Sequence, residues 1–258
     1  MITFIKFGQH GRFGNQLFQY AMLKSVSLKT NYTLKLPDIK NTDLQYFEVS
    51  CPAVEETDLK HIDKTFIDEP AFRFRPEVFE QDDFINFHGY YQSEKYFKEF
   101  EREIRKEFTF KKHISELAHC EMKKYISGKP LVSVHVRRGD YLTVHNGLFH
   151  TPCNMKYYEK AMSQFEDVKF LVFSDDIKWC KENIKGKNIS YCEGNSAIID
   201  FAMMSLCNHN ILANSSFSWW SAWLNSNPSK KVVAPSNWFG PAGPQDTYDL
   251  IPDEWIVL

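Results

Sequence analysis

No stretch of this sequence reaches the roughly 18 consecutive apolar residues that a membrane-spanning helix needs, so no transmembrane segment is expected. The opening residues, Met1-Ile2-Thr3-Phe4-Ile5-Lys6-Phe7, are too short an apolar run, and too polar afterwards, to read as a secretory leader. The cysteines are sparse: six, at positions 51, 120, 153, 180, 192 and 207, with no CxxC or CxxxH pair. That spacing excludes the common zinc patterns and a dense disulfide framework, and it fits reduced thiols in a cytoplasmic protein. Charge of one sign is also lacking. Lys and Arg number 31 against 33 Asp and Glu, a net charge of −2, so there is no basic field for bulk nucleic-acid binding and no nucleic-acid partner is expected. Neither GxGxxG nor the P-loop GxxxxGK[ST] occurs, which disfavours a P-loop kinase. There is no internal repeat and no low-complexity tract.

What is present is an ordinary soluble composition with an unusual aromatic load. The 258 residues are 43% hydrophobic, 25% charged and 16% aromatic. This length suits one large domain or two small ones with a substantial core. The best break is Gly128-Lys129-Pro130, because Gly ends a helix and Pro cannot continue one. It divides the chain into residues 1–128 and 129–258.

In the first part, residues 2–7 read as a strand and Gly8 to Gln16 as a glycine-punctuated loop. Leu17 to Val26 has helical spacing, with Leu17, Tyr20, Ala21 and Leu28 on one face. Strand, Gly-rich loop and helix together resemble a nucleotide-binding turn, where backbone N–H groups favour an anion; a tight turn using Gly for positive φ is the plainer alternative. Thr33 to Leu36 reads as a second strand, and residues 37–84, with Pro52, Pro70 and Pro76, as short helices and loops. Asn86 to Gln92 is a further expected strand. Ser93 then caps a helical, charge-rich stretch that runs to about Gly128.

The second part is more regular. Strands are expected at 131–136, 169–173, 188–191, 209–213 and 231–235, with helices at 154–162, 177–184, 197–207 and from Ser218. Strands alternating with helices at this spacing indicate an α/β fold with a parallel sheet.

In such a sheet the carboxyl-end loops share one edge, where ligands bind. Three of them here are chemically loaded. The first, His135-Val136-Arg137-Arg138-Gly139-Asp140, offers two guanidiniums, which make paired hydrogen bonds to phosphate or carboxylate. The second is Ser174-Asp175-Asp176 and the third Asn214-Ser215-Ser216. Cations, carboxylates and hydroxyls in this combination suit a nucleoside diphosphate. Asp175-Asp176 and Ser215-Ser216 also have the simpler use of capping the next helix. Paired carboxylates can hold Mg²⁺ or Mn²⁺ beside a diphosphate. The adjacent arginines already neutralise phosphate charge, so metal-independent chemistry is expected, with no cofactor. Among the histidines, His10, His88, His145 and His150 are weaker candidates, each more commonly a packing residue. The Trp219-Trp220-Trp223 group fits a buried helix face better than a sugar platform.

These motifs resemble those of the α-1,2-fucosyltransferases, glycosyltransferase family 11. The stretch from His135 to Tyr141 is similar to their HxRRxD signature. Gly11 to Ala21, Tyr91 to Phe97, Phe173 to Asn183, and Asp200 to Asn225 resemble other motifs of the family in the same order. The resemblance implies a GT-B-like enzyme with two Rossmann-like halves, residues 129–258 taking the donor and residues 1–128 the acceptor. It implies inverting transfer of L-fucose from GDP-β-L-fucose to the 2-OH of a terminal β-galactoside. Arg137 would hold the β-phosphate and stabilise departing GDP; Arg138 would support it or pair with Asp140. His135 and one of Asp175 or Asp176 would contact guanine, Ser215 and Ser216 phosphate, and Gly14, Asn15 and Gln16 would close on the donor. Asp140, then His10, are the candidates for the base that takes the acceptor proton. A bacterial enzyme in the cytoplasm follows from the resemblance and the lack of an anchor, and it is compatible with peripheral association at the inner face of a membrane.

Overall fold

The structure, a computed structural model, describes residues 1–67 and 72–258, and not the side chains of His145 and Asn146. Pro70 and the His145 side chain therefore lie outside the described residues. The chain forms two compact units, residues 1–111 with 246–252, and residues 112–245 with 253–258. The fold is α/β with parallel strands throughout both sheets.

The first unit has a small sheet built from β1 (Ile2–Thr3), β2 (Lys64–Ile67) and β3 (Ile85–His88), in the order β1-β3-β2. Its longest helix is α1 (Phe13–Thr30), followed by α2 (Glu56–Leu59) and α3 (Glu101–Glu107). The expected strand over 2–7 stops at Thr3, and Thr33 to Leu36 makes only isolated bridges, Leu34 to Ile2 and Leu36 to Ala53. β2 is an exposed edge strand whose residues show no apolar alternation to mark it in the sequence. The helix begins at Phe13 rather than Leu17, so Gly14, Asn15 and Gln16 form its first turn, not a loop. Ser93 does cap, but a 3₁₀ turn: its side chain accepts from the Lys95 N–H. The segment 246–252 joins this unit because Asp249 accepts from the Phe74 backbone and from Lys95, and Asp246 pairs with Arg73.

The second unit starts with α4 (Lys112–Met122), earlier than the Gly128 break. Ile114, Ala118 and Met122, four residues apart, form its buried stripe. After it come β4 (Leu131–Val136), α5 (Gly139–Thr143), α6 (Met155–Met162), β5 (Lys169–Ser174), α7 (Ile177–Asn183) and β6 (Ile189–Tyr191). Then follow α8 (Ala197–Leu206), which α4 packs against, β7 (His209–Ile211), α9 (Ser216–Leu224), β8 (Val232–Ala234) and β9 (Ile256–Val257). β9 is two residues long, too short to leave a periodic signal.

The six strands lie in the order β6-β5-β4-β7-β8-β9. From β4 the chain winds outward through β5 and β6, then returns to the other side of β4 and winds the opposite way. The order therefore reverses between β4 and β7, and the crevice beyond their carboxyl ends is where such sheets bind ligands. All six residues of β4 are buried, Ser133 and His135 as well as the valines they alternate with, as befits a central parallel strand covered on both faces. A buried polar bridge helps fix β7 beside it: Asn210 donates to the Ser133 hydroxyl at 2.8 Å and accepts from Asn225 at 2.8 Å. Trp219 and Trp220 on α9 are fully buried, the packing role expected of them, each hiding on the order of 150–250 Å².

Candidate active site

Where β4 ends, the buried run gives way to the two arginines. Arg137 and Arg138 are joined at once to the strand end beside them. Asp175 accepts the Arg138 backbone N–H at 2.9 Å through one oxygen and forms an ion pair with Arg137 Nη1 at 2.9 Å through the other. Arg137 Nη2 donates to Asp140 in the first turn of α5. Arg138 pairs with Asp176 at 3.1 Å, and its guanidinium lies 3.9 Å from the centroid of the Trp179 ring. Asp176 also caps α7, accepting from the Trp179 N–H at 3.2 Å.

The two arginines and three carboxylates are thus one network on adjacent strand ends. Asp140 pairs with Arg137, not with Arg138. Asp175 and Asp176 do bond to the chain itself, and Asp176 both caps α7 and pairs with Arg138. Gly139 lies close against this arrangement: a Cβ there would stand 2.6 Å from an Asp175 carboxylate oxygen, which would have to shift.

His135 lies one residue before the end of β4, 6% exposed, with its ring 5.6 Å from that of Phe217. Its Nδ1 has no hydrogen-bond partner among the described residues. Burial, with Arg137 adding to it, pushes its pKa down to about 3, so the ring is neutral at physiological pH. On the far side of the switch point Ser215 caps α9, its hydroxyl accepting from the Phe217 N–H at 3.4 Å, and Ser216 opens the helix. Asn214, almost fully buried, pins the preceding turn by donating to the carbonyls of Thr151 and Trp238.

Two further side chains, Tyr141 and Trp179, belong to this cluster. Tyr141 donates to the Asn214 carbonyl at 3.0 Å, stacks on His150 at 4.6 Å, and sits 5.5 Å from the Arg137 guanidinium. It therefore ties the loop after β4 to the loop after β7. Trp179 had one available signal, its place three residues after Asp176 on the same helix turn.

The remaining candidates belong to the first unit. Gly11 has φ +88°, and a Cβ there would meet the Asn15 side chain at 2.4 Å. Asn15 accepts from Gln92 at 2.7 Å, and Gln16 accepts the Asp43 N–H at 2.8 Å. Gln19 donates to the carbonyls of His10 and Gly89 at 2.9 and 3.0 Å, fastening the loop to the end of β3. The His10 ring lies 4.4 Å from both His88 and Tyr90. Burial, then His88 and Lys6, lower its pKa, so it is a neutral imidazole able to accept a proton.

Among the described residues, no group of three or more His, Cys, Asp or Glu side chains is placed to hold a metal ion. No helix among them is long and apolar enough to cross a membrane.

Two fucosyltransferases of known structure share this fold. NodZ of Bradyrhizobium, an α-1,6-fucosyltransferase also solved after soaking with GDP-fucose, aligns with a TM-score of 0.55 at 17% identity, over 88% of this chain and 96% of its own. POFUT1 in complex with GDP-fucose aligns with a TM-score of 0.53 at 15% identity, over 90% and 97%. At these identities the likeness establishes the fold, which is that of the GT-B glycosyltransferases.

Residues 4–257 match the family described as glycosyl transferase family 11, and the chain belongs to it. An α-1,2-colitosyltransferase of Escherichia coli is 31% identical over 96% of each chain. The O-antigen biosynthesis glycosyltransferase WbnK of Escherichia coli is 42% identical over 54% of this chain and 48% of its own. Galactoside α-(1,2)-fucosyltransferase 1 of Alouatta belzebul is 31% identical over 83% of this chain and 63% of its own. The chain is a family 11 glycosyltransferase.

Proposed function

We propose that the protein is an inverting α-1,2-fucosyltransferase, moving L-fucose from GDP-β-L-fucose to the 2-OH of a terminal β-galactoside. The observation that carries this reading is the position of Arg137 at the switch point between β4 and β7, beside a helix that opens at Ser216. The fucosyltransferase relatives and the GDP-fucose-bound neighbours support the choice of donor.

In the reaction the acceptor oxygen forms a bond to the anomeric carbon while the bond from that carbon to the β-phosphate oxygen breaks. The electron pair leaves with GDP, and Arg137 meets the charge that develops on the phosphate. Arg138, held by Asp176 and Trp179, supports the loop. His135, neutral and buried, is suited to a hydrogen bond with the guanine base rather than to a phosphate, and Asp175 or Asp176 is the carboxylate proposed to complete that contact. Ser215 and Ser216 present hydroxyl and backbone donors to phosphate. Gly14, Asn15 and Gln16 are assigned to the donor, and the rest of the first unit to the acceptor. The acceptor proton passes to a base, Asp140 or His10.

The test is transfer from GDP-fucose to lactose. Arg137→Ala should cost on the order of 10²-fold or more in kcat with an unchanged melting temperature; unaltered turnover would remove Arg137 from the reaction. EDTA should leave the rate unchanged, because the guanidiniums supply the positive charge, and EDTA-sensitive turnover would overturn metal independence. A second reading is favoured by the colitosyltransferase relative: the same site with another nucleotide-linked sugar. A panel of GDP- and UDP-sugars with the same acceptor separates the two.

A further inference from the structure

The small sheet of the first unit has a chemically loaded edge of its own. β1 and β3 run parallel, so the loop after Thr3 and the turn after His88 leave the sheet at the same end. That edge gathers His10, His88 and Tyr90, each half-buried, against the fully buried ring of Phe4. The His10 ring lies 4.4 Å from His88 and is stacked on Tyr90 at 4.4 Å; Phe4 is 5.6 Å from His88 and 6.2 Å from His10. The spacing is built into the backbone. Gln19, fully buried on α1, donates to the carbonyls of both His10 and Gly89 and so clamps the loop to the turn. Both imidazoles are oriented by packing, and among the described residues their ring nitrogens have no hydrogen-bond partner. A half-buried imidazole with an unspent lone pair is suited to accept a proton. Asp140, the other candidate, has its carboxylate paired with Arg137. Two imidazoles this close take up one proton more readily than two, because like charges repel. The charged groups acting on His10 are His88, from the end of β3, and Lys6, from its own loop; Lys6 also acts on His88, and the Tyr90 phenol ring covers one face of His10.

We propose that His10 is the base that takes the acceptor proton, and that His88 is a positioning residue whose ring fixes His10 at this edge. The proposal rests on the glycosyl-transfer reading and makes, within it, the choice between Asp140 and His10. In the step, the acceptor O–H bond breaks and its proton goes to a ring nitrogen of His10. The electron pair left on the oxygen forms the bond to the anomeric carbon, while the pair of the broken carbon–phosphate-oxygen bond leaves with GDP. Water takes the proton from His10 before the next turnover. His88 and Lys6 favour this release, because each disfavours a charged His10.

The pH profile of kcat for transfer from GDP-fucose to lactose by the full chain, followed from about pH 5 to pH 8, tests this. Wild type should lose kcat on the acid side, with a midpoint below the ordinary histidine value, because burial, His88 and Lys6 all disfavour the protonated ring. His10→Gln should lower kcat about 10²-fold or more and abolish the acid limb, with the KM for lactose little changed and a wild-type circular dichroism spectrum. His88→Gln removes the neighbouring charge, so its acid limb should move to higher pH and its deficit should be greatest at the acid end. Lys6→Gln, at an exposed position where the fold is not at stake, should move the limb the same way by a smaller amount. An acid limb retained in His10→Gln overturns His10 as the base, and its loss in Asp140→Asn instead assigns the proton to Asp140. An unmoved limb in His88→Gln of wild-type spectrum overturns the role of His88. An unmoved limb in both His88→Gln and Lys6→Gln places the titrating group elsewhere and overturns the whole proposal, even where His10→Gln does not fold. The donor reading fails separately. Transfer from another nucleotide sugar with the same acid limb overturns the choice of donor and leaves the base standing, whereas no transfer from any sugar of the panel overturns both.

Discussion

His135 is a neutral ring buried at the end of β4, with no hydrogen-bond partner for Nδ1 among the described residues and a guanidinium two residues away. Its pKa lies near 3 in the folded protein, first through burial and then through Arg137, against 6.5 in an open chain. The folded value is the depressed one, so the unfolded chain binds the extra proton. The stabilisation is complete above pH 6.5 and is lost as pH falls toward 3, at about 1.4 kcal/mol per pH unit. Urea unfolding of wild type and His135→Gln between pH 7 and pH 4 should show a steeper loss in wild type; parallel curves would exclude His135 as the source. From the sequence, His135 was a candidate because it precedes two arginines. That it is buried was legible only as far as the Val run around it. That its ring packs beside Phe217, far along the chain, is announced by no local pattern.

At the scale of elements, α7 and α5 meet through single residues. Asp176 both caps α7 and holds Arg138, so Asp176→Ala should cost about 1 kcal/mol from the cap alone, read as a lowered melting temperature. Gly139→Ala separates helix propensity from site geometry. Alanine favours the helix, yet its Cβ collides with Asp175. The expected outcome is weaker GDP binding with a melting temperature close to wild type, and GDP affinity equal to wild type would show that Asp175 can move without cost. The strands β4 and β5 and helices α6, α7 and α8 agree with their expected ranges to within a residue or so, because each is a long apolar or periodic segment. β2 and β9 escaped detection: the first is exposed and the second has two residues. The helical tract expected to Gly128 is two helices, α3 and α4, parted where Phe110 bridges to Phe47.

For the whole molecule, a ligand that binds only the folded state stabilises it by about 2.7 kcal/mol at one hundred times its Kd. GDP should therefore raise the unfolding temperature in a concentration-dependent way, and UDP should do so less; no shift with either would argue against a nucleotide site. The division of the chain shows the limit of linear reading. Gly128-Lys129-Pro130 is the strongest local break, but α4 belongs to the second unit and residues 246–252 to the first. Packing of α4 on α8 and the pairing of Asp249 with Lys95 decide this, and both join residues far apart in sequence. The sequence by itself determined that β4 is a buried strand ending in two arginines, and that Ser174-Asp175-Asp176 and Asn214-Ser215-Ser216 each follow a further strand of the sheet. A hydrophobic run, a capping residue and a charged tail are local properties of the chain. Only the tertiary structure decided that the sheet reverses between β4 and β7, and that Arg137 is shared by Asp140 and Asp175 while Arg138 goes to Asp176. Which carboxylate meets which guanidinium depends on strand order and register, and these are set by contacts that no single segment encodes.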